Sequence, residues 1–267
     1  MRAPTVEPGS ALAEGGHRLM MAAGAALLAA RRDPVSRAIA DALRTAATGH
    51  QRPAERAWIN EVEACRAELP RELAAPELAA TWDPSALEGA AGICGMLSVP
   101  RAWGRFLFHL VRRLQPQSCL EIGTGLGVSA TYQAAALELN GAGKLITVDT
   151  MDHARAADAS FAKLGLAERA SLIIDEPGAG VARAIELGSP FDFVLIDADH
   201  TEAAAIGDFD SVAPHLGAGA VVIVDDIAWN NGMQRAWEVI RHRPQVELGL
   251  GLRRFGIVAM STSQRPG

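Results

Sequence analysis

The chain is short of cysteine, of aromatic side chains and of positive charge. Its three cysteines, Cys65, Cys94 and Cys119, lie far apart among 267 residues. They are too few and too scattered for a disulfide framework or a cysteine zinc site, and they fit a reducing, cytoplasmic setting. Lys and Arg number 25 against 31 Asp and Glu, a net charge of −6. That balance argues against a surface built to neutralise a nucleic-acid backbone, and no Asn-Pro-Pro-Tyr-like base-handling motif is present. Near the N-terminus the longest apolar run covers residues 19–30 and closes on Arg31 and Arg32. A bilayer needs about 20 apolar residues, so no membrane partner is expected. Glu7 and Glu14 occupy the place where an export signal would carry positive charge, so the run is not read as a leader.

What is present is ordinary globular material, 49% hydrophobic and 21% charged. At about 150 residues per domain, the length suggests one large domain or a domain with an appendage. Residues 1–95 are rich in Ala, Arg, Glu and Leu, with apolar positions at helical spacing over residues 35–47 and 53–69. Pro34, Pro53, Pro70, Pro76 and Pro84 are read as helix starts or stops. This half is expected to be a helical appendage whose first residues are loose. In residues 96–267, β-rich runs at 118–122, 144–149, 170–174, 191–197 and 220–225 alternate with Ala- and Leu-rich stretches. Such alternation predicts a doubly wound, mostly parallel α/β sheet. Residues 245–250 and 254–260 can pair as a C-terminal antiparallel hairpin across Gly251.

The first strand runs into Glu121-Ile-Gly123-Thr124-Gly125-Leu-Gly127-Val-Ser129. Glycines after a buried strand allow a tight turn and a close ligand, although the same pattern also serves a turn with no ligand. A dinucleotide loop places glycines first, third and sixth, and here Val128 takes the sixth place. Asp149, at the end of the second strand, suits ribose hydroxyls in either kind of nucleotide. The fourth strand ends in Asp197-Ala-Asp199-His200 and the fifth in Asp225-Asp226. In a doubly wound sheet both tips face one crevice, and converging carboxylates repel unless a positive group sits among them. A divalent cation, magnesium first, would meet that need.

These motifs, in this order, resemble the class I S-adenosylmethionine (SAM) methyltransferases, and within them the cation-dependent catechol and caffeoyl-CoA O-methyltransferases. The resemblance spans roughly residues 95–260 and implies a Rossmann-like sheet. It implies SAM as cofactor, held by Ser98, Val99, Glu121, Gly123, Thr124, Gly125, Gly127, Ser129, Asp149, Thr150, Glu176, Asp197 and Asp199. It also implies magnesium on Asp197, Asp225 and Asp226. The family usually has Asn in place of Asp226, whereas macrocin-type sugar methyltransferases share the Asp-Asp pair. His200 matches the family's general-base lysine, with Asp199 beside it to orient the ring, so His200 and Asp197 are the expected catalytic pair. Trp229, Asn230, Asn231, Met96 and Trp103 could border a small hydroxyl acceptor, although packing is the commoner role for such residues, and the resemblance implies a homodimer. The alternatives are a metal-independent methyltransferase using His200 alone, an NAD-linked oxidoreductase, and a non-catalytic SAM-binding protein.

Overall fold

The structure is a computed structural model, which describes residues 11–73, 90–197 and 199–262. The first three helices are α1 (Ala11–Leu27), α2 (Pro34–Thr48) and α3 (Pro53–Leu73). Local chemistry sets the limits of α2. The Asp33 side chain accepts the Ser36 N–H at 2.8 Å, Pro34 opens the first turn, and Gly49 closes the last at φ +72°. Pro70 departs from its expected role, because it lies inside α3. A proline there removes one backbone donor and crowds the preceding turn. The expectations for Pro76, Pro84 and the first ten residues lie outside the described residues.

Two more helices, α4 (Ala90–Met96) and α5 (Arg101–Leu114), lead into the alternating part. There β1 (Ser118–Ile122), α6 (Val128–Asn140), β2 (Lys144–Asp149), α7 (Arg155–Lys163), β3 (Ala170–Ile174), α8 (Pro177–Gly188) and β4 (Phe191–Ile196) follow in turn. Next come α9 (Glu202–Val212), β5 (Leu216–Val224), α10 (Asn231–Arg241), β6 (Val246–Leu252) and β7 (Phe255–Met260). The sheet order is β3-β2-β1-β4-β5-β7-β6, with β1 to β5 parallel and β7 antiparallel to both β5 and β6. β5 begins before the expected residue 220, because the glycine-containing segment from Leu216 still pairs, opposite Phe191 and across an irregularity in β4.

Side chains alternate across each strand, and that alternation divides the core. Leu120, Ile122, Val194 and Val222 face α8, α9 and α10, where Ala184, Phe209 and Trp237 cover them. Cys119, Phe193, Val221 and Ile257 face the other way, onto α5, α6 and α7. Met21, Ile39, Leu43 and Ile59 from α1, α2 and α3 are buried in this same second layer. The N-terminal helices and the sheet thus share one hydrophobic core. No helix among the described residues is long and apolar enough to cross a membrane.

Candidate active site

The loop from β1 to α6 turns on three glycines with left-handed backbones, Gly123 (φ +96°), Gly125 (φ +53°) and Gly127 (φ +76°). A side chain at Gly125 would press its Cβ to 3.0 Å from the Leu97 carbonyl, and one at Gly127 would collide with Ala157. The Asp149 carboxylate ties this loop to the end of β2. Its Oδ2 accepts the Gly125 N–H at 2.8 Å, and its Oδ1 accepts those of Thr150 and Met151 at 2.7 and 2.9 Å. An oxygen with two lone pairs and one donor still has room for a hydroxyl.

Beside Asp149 opens a cavity of about 470 Å³, a size suited to a nucleoside-bearing small molecule. Of the expected binding residues, Gly123, Gly125, Asp149, Thr150, Asp197 and Asp199 line it. Leu97, Ile122, Val148, Met151, His153 and Asp208 line it too and were not expected. Burial, reinforced by Asp199, raises the Asp208 pKa to about 6.

The other expected binding residues stand back from the cavity wall. Glu121 is fully buried, bonded to Gln133 and accepting the Thr147 hydroxyl at 3.1 Å. Burial raises its pKa to about 8. Thr124 shares a hydrogen bond with Thr147 at 2.7 Å, which locks the loop onto β2 from behind. Gly127 and Ser129 shape the start of α6, while Ser98 and Val99 are buried just after the lining residue Leu97. Glu176 is exposed at the entry to α8. Trp103 is not at a substrate surface; it is wholly buried between His17 and Phe255. Asn230 caps α10 through Met233 and donates to the His200 carbonyl at 2.9 Å.

The acidic tips do converge. The Asp197 N–H bonds the Ile122 carbonyl and the Asp225 N–H bonds that of Ile196, so each carboxylate leaves its strand in register. His200 Nε2 lies 3.2 Å from Asp226 Oδ2 and 3.7 Å from Asp197 Oδ1. The expected orienting role of Asp199 therefore passes to Asp226 and Asp197. Contact with Asp226 raises the His200 pKa against the opposing effect of burial. Trp229, 68% exposed, sets its ring 5.7 Å from that of His200.

Arg254, which the sequence reading missed, fills the middle of the cluster. Its guanidinium donates to Asp225 Oδ2 at 2.6 Å and lies 3.2 Å from Asp226 Oδ1. Burial works against its charge, but Asp225, Asp226 and Asp197 outweigh that and raise its pKa further. Asp225 Oδ1 accepts the Asp226 N–H at 2.6 Å. All four oxygens of Asp225 and Asp226 thus have a donor or cation beside them. The donor set expected for magnesium does not fit an ion as it stands, since a hard cation needs those oxygens for itself. Among the described residues no group of three or more His, Cys, Asp or Glu side chains is arranged to hold a metal.

A seven-stranded sheet in this order, a glycine loop after β1 and a carboxylate after β2 define a class I SAM-dependent methyltransferase. A methyltransferase-domain family matches residues 120–227. A catechol O-methyltransferase of Mycobacterium tuberculosis is 30% identical over 161 residues, 57% of this chain and 69% of its own length. A second, from Niastella koreensis, is 33% identical over 105 residues, 39% of this chain and 47% of its own length. The chain belongs to the SAM-dependent O-methyltransferases of the catechol and caffeoyl-CoA type. The fold agrees with the SAH complex of an O-methyltransferase from Bacillus cereus, at TM-score 0.56 and 21% identity over 85% of this chain and 99% of that one. It also agrees with the O-methyltransferase TomG from Streptomyces achromogenes, at TM-score 0.53 and 21% identity over 80% and 91% of the two chains.

Proposed function

We propose that this enzyme moves a methyl group from SAM to a hydroxyl of a small aromatic molecule, with His200 as the base. The observation that carries this reading is the position of His200. It stands on the β4 tip next to Asp197, a residue of the cavity wall, and it pairs with Asp226. Gly123, Gly125, Asp149 and Thr150 would hold the nucleoside side of the donor, and Asp197 and Asp199 the side nearest the chemistry. Trp229 supplies an exposed aromatic face beside His200, suited to a flat acceptor.

Methyl transfer from a sulfonium is an in-line displacement, so the protein must align acceptor oxygen and methyl carbon and remove one proton. The oxygen–carbon bond forms as the carbon–sulfur bond breaks, and the hydroxyl proton goes to His200 Nδ1, the ring nitrogen that Asp226 and Asp197 do not engage. Asp226 and Asp197 then stabilise the imidazolium. Magnesium on Asp197, Asp225 and Asp226 is the family expectation, but the oxygens of Asp225 and Asp226 are already engaged, so no step here runs through a metal.

Incubation with CD3-labelled SAM and a panel of phenols, catechols and sugar diols tests the proposal by mass spectrometry. An O-trideuteromethyl product, greatly reduced in His200→Ala, is expected. Transfer only to nitrogen or carbon, or equal O-methylation by the variant, would overturn it. We also propose a homodimer, supported by the family resemblance and by Leu19 and Leu27, 74% and 71% exposed on α1. A monomeric mass in light scattering would contradict that.

A further inference from the structure

The three carboxylates at the tips of β4 and β5 need a positive partner, and the fold supplies one from its own chain. β7 pairs antiparallel with β5, placing Gly256 opposite Val224. This register sets the β6–β7 turn against the residues that follow β5. Leu252 pairs with Phe255 across that turn, with Arg253 and Arg254 at its tip. Arg253 takes a left-handed backbone at φ +59°. The Arg254 carbonyl accepts the Ile227 N–H at 3.0 Å, which stitches the turn to the loop carrying Asp225 and Asp226. Behind it, Phe255 is wholly buried against Trp103, and Trp103 against His17 of α1. Arg254 is therefore held by backbone and core on three sides, unlike a surface arginine that swings into place.

We propose that Arg254 is the resident counter-cation of this active site, gripping two of the acids that the family resemblance assigns to a divalent ion, so that O-methylation by this chain needs no metal. The proposal rests on the O-methyltransferase reading above. The chemistry supports it in two ways. A guanidinium presents N–H donors in a fixed fork matched to carboxylates, and Arg254 spends that fork on Asp225 and Asp226 together. Its single charge, shared between Asp225 and Asp226, relieves their mutual repulsion without an ion. A metal would have to displace the guanidinium from Asp225, whose side chain is only 1% exposed. The displaced positive charge would then sit beside the incoming cation.

A divalent ion can grip both oxygens of a vicinal diol, whereas an arginine already committed to two carboxylates cannot. A second oxygen on the acceptor is therefore not required, and a single hydroxyl beside the exposed Trp229 face suffices.

The test compares wild type with Arg254→Ala. Wild type, purified without chelator, is assayed for metal content by mass spectrometry and titrated with Mn2+ under electron paramagnetic resonance. S-adenosylhomocysteine (SAH) binding is measured in parallel by calorimetry. Wild type is expected to bind SAH, to carry no stoichiometric metal, to leave Mn2+ free in solution, and to keep its turnover in EDTA. Arg254→Ala, with the carboxylates released, is expected to gain a one-to-one Mn2+ complex. Stoichiometric metal in wild type, saturable Mn2+ binding to it, or loss of turnover in EDTA that magnesium restores would overturn the proposal. Should Arg254→Ala fail to fold, the wild-type measurements decide alone. Metal content and Mn2+ binding need no acceptor, so failure of the transfer assay would count against the enzyme reading and not against this one.

Discussion

His200 Nε2 and Asp226 Oδ2 lie 3.2 Å apart, a base and an acid from the tips of neighbouring strands. Asp226 raises the histidine pKa above 6.5, burial lowers it, and the contact with Asp226 is the larger effect. Asp197, Asp225 and Arg254 also face this ring, the acids favouring its charge and the arginine opposing it. Only the neutral ring accepts a proton, so turnover at saturating SAM should rise with pH through a midpoint above 6.5. In Asp226→Asn that midpoint should move toward acid, because a partner that favours the imidazolium has gone. His200→Ala should cut kcat by on the order of 10²–10⁴, the usual contribution of a positioned base. A pH–rate profile of the three proteins checks this, and an unmoved limb in Asp226→Asn would remove His200 from the base role.

Much of this site could be read along the chain, because buried parallel strands are apolar runs and their tips announce themselves in acids. Asp149 ends β2, and Asp197 and Asp225 directly follow β4 and β5. Glu121 stands back from the cavity wall, and the reason is alternation. Ile122 faces the cavity wall, so its neighbour on β1 points to the opposite face and into the buried network with Gln133 and Thr147. Arg254 escaped notice because it lies on a distant hairpin. The hairpin itself was visible around Gly251, but its placement next to β5 is a tertiary choice that no local signal records.

The Glu121 carboxyl gives a stability signature. Its pKa is raised by burial to about 8, so the folded chain holds a proton that the unfolded chain releases near the ordinary carboxylate value. The stability tied to this proton is full at low pH, falls as pH rises above the unfolded value, and is lost by the time pH passes about 8. Glu121→Gln keeps the shape and removes the ionisation. Thermal melts between pH 5 and 9 should show a shallower alkaline decline in the variant, and parallel curves would contradict the assignment.

Loop glycines should separate by what surrounds them. Gly125 and Gly141 both have left-handed backbones, but a Cβ on Gly125 meets the Leu97 carbonyl at 3.0 Å whereas one on Gly141 meets nothing. Gly141→Ala should cost about 1 kcal/mol of stability from its backbone alone and leave SAH affinity unchanged. Gly125→Val should weaken SAH by roughly tenfold or more, equivalent to about 1.4 kcal/mol. Calorimetry on both variants checks the contrast.

Helix packing offers a test of the shared core. A Cβ on Gly104 of α5 would strike the ring of Tyr132 on α6, and both residues are buried. Overpacking of this kind costs typically about 1–3 kcal/mol. Gly104→Val should therefore lower the melting temperature by several degrees or more, with SAH affinity following stability. An unchanged melt would mean that the two helices can separate freely.

The central claim is that the cavity beside Asp149 holds the methyl donor, and calorimetric titration of SAH into wild type and Asp149→Ala tests it most directly. The account predicts one micromolar site in wild type and a loss of roughly tenfold or more in the variant, as befits removal of a charged acceptor from bound hydroxyls. No binding to wild type, or equal binding to both proteins, would contradict it.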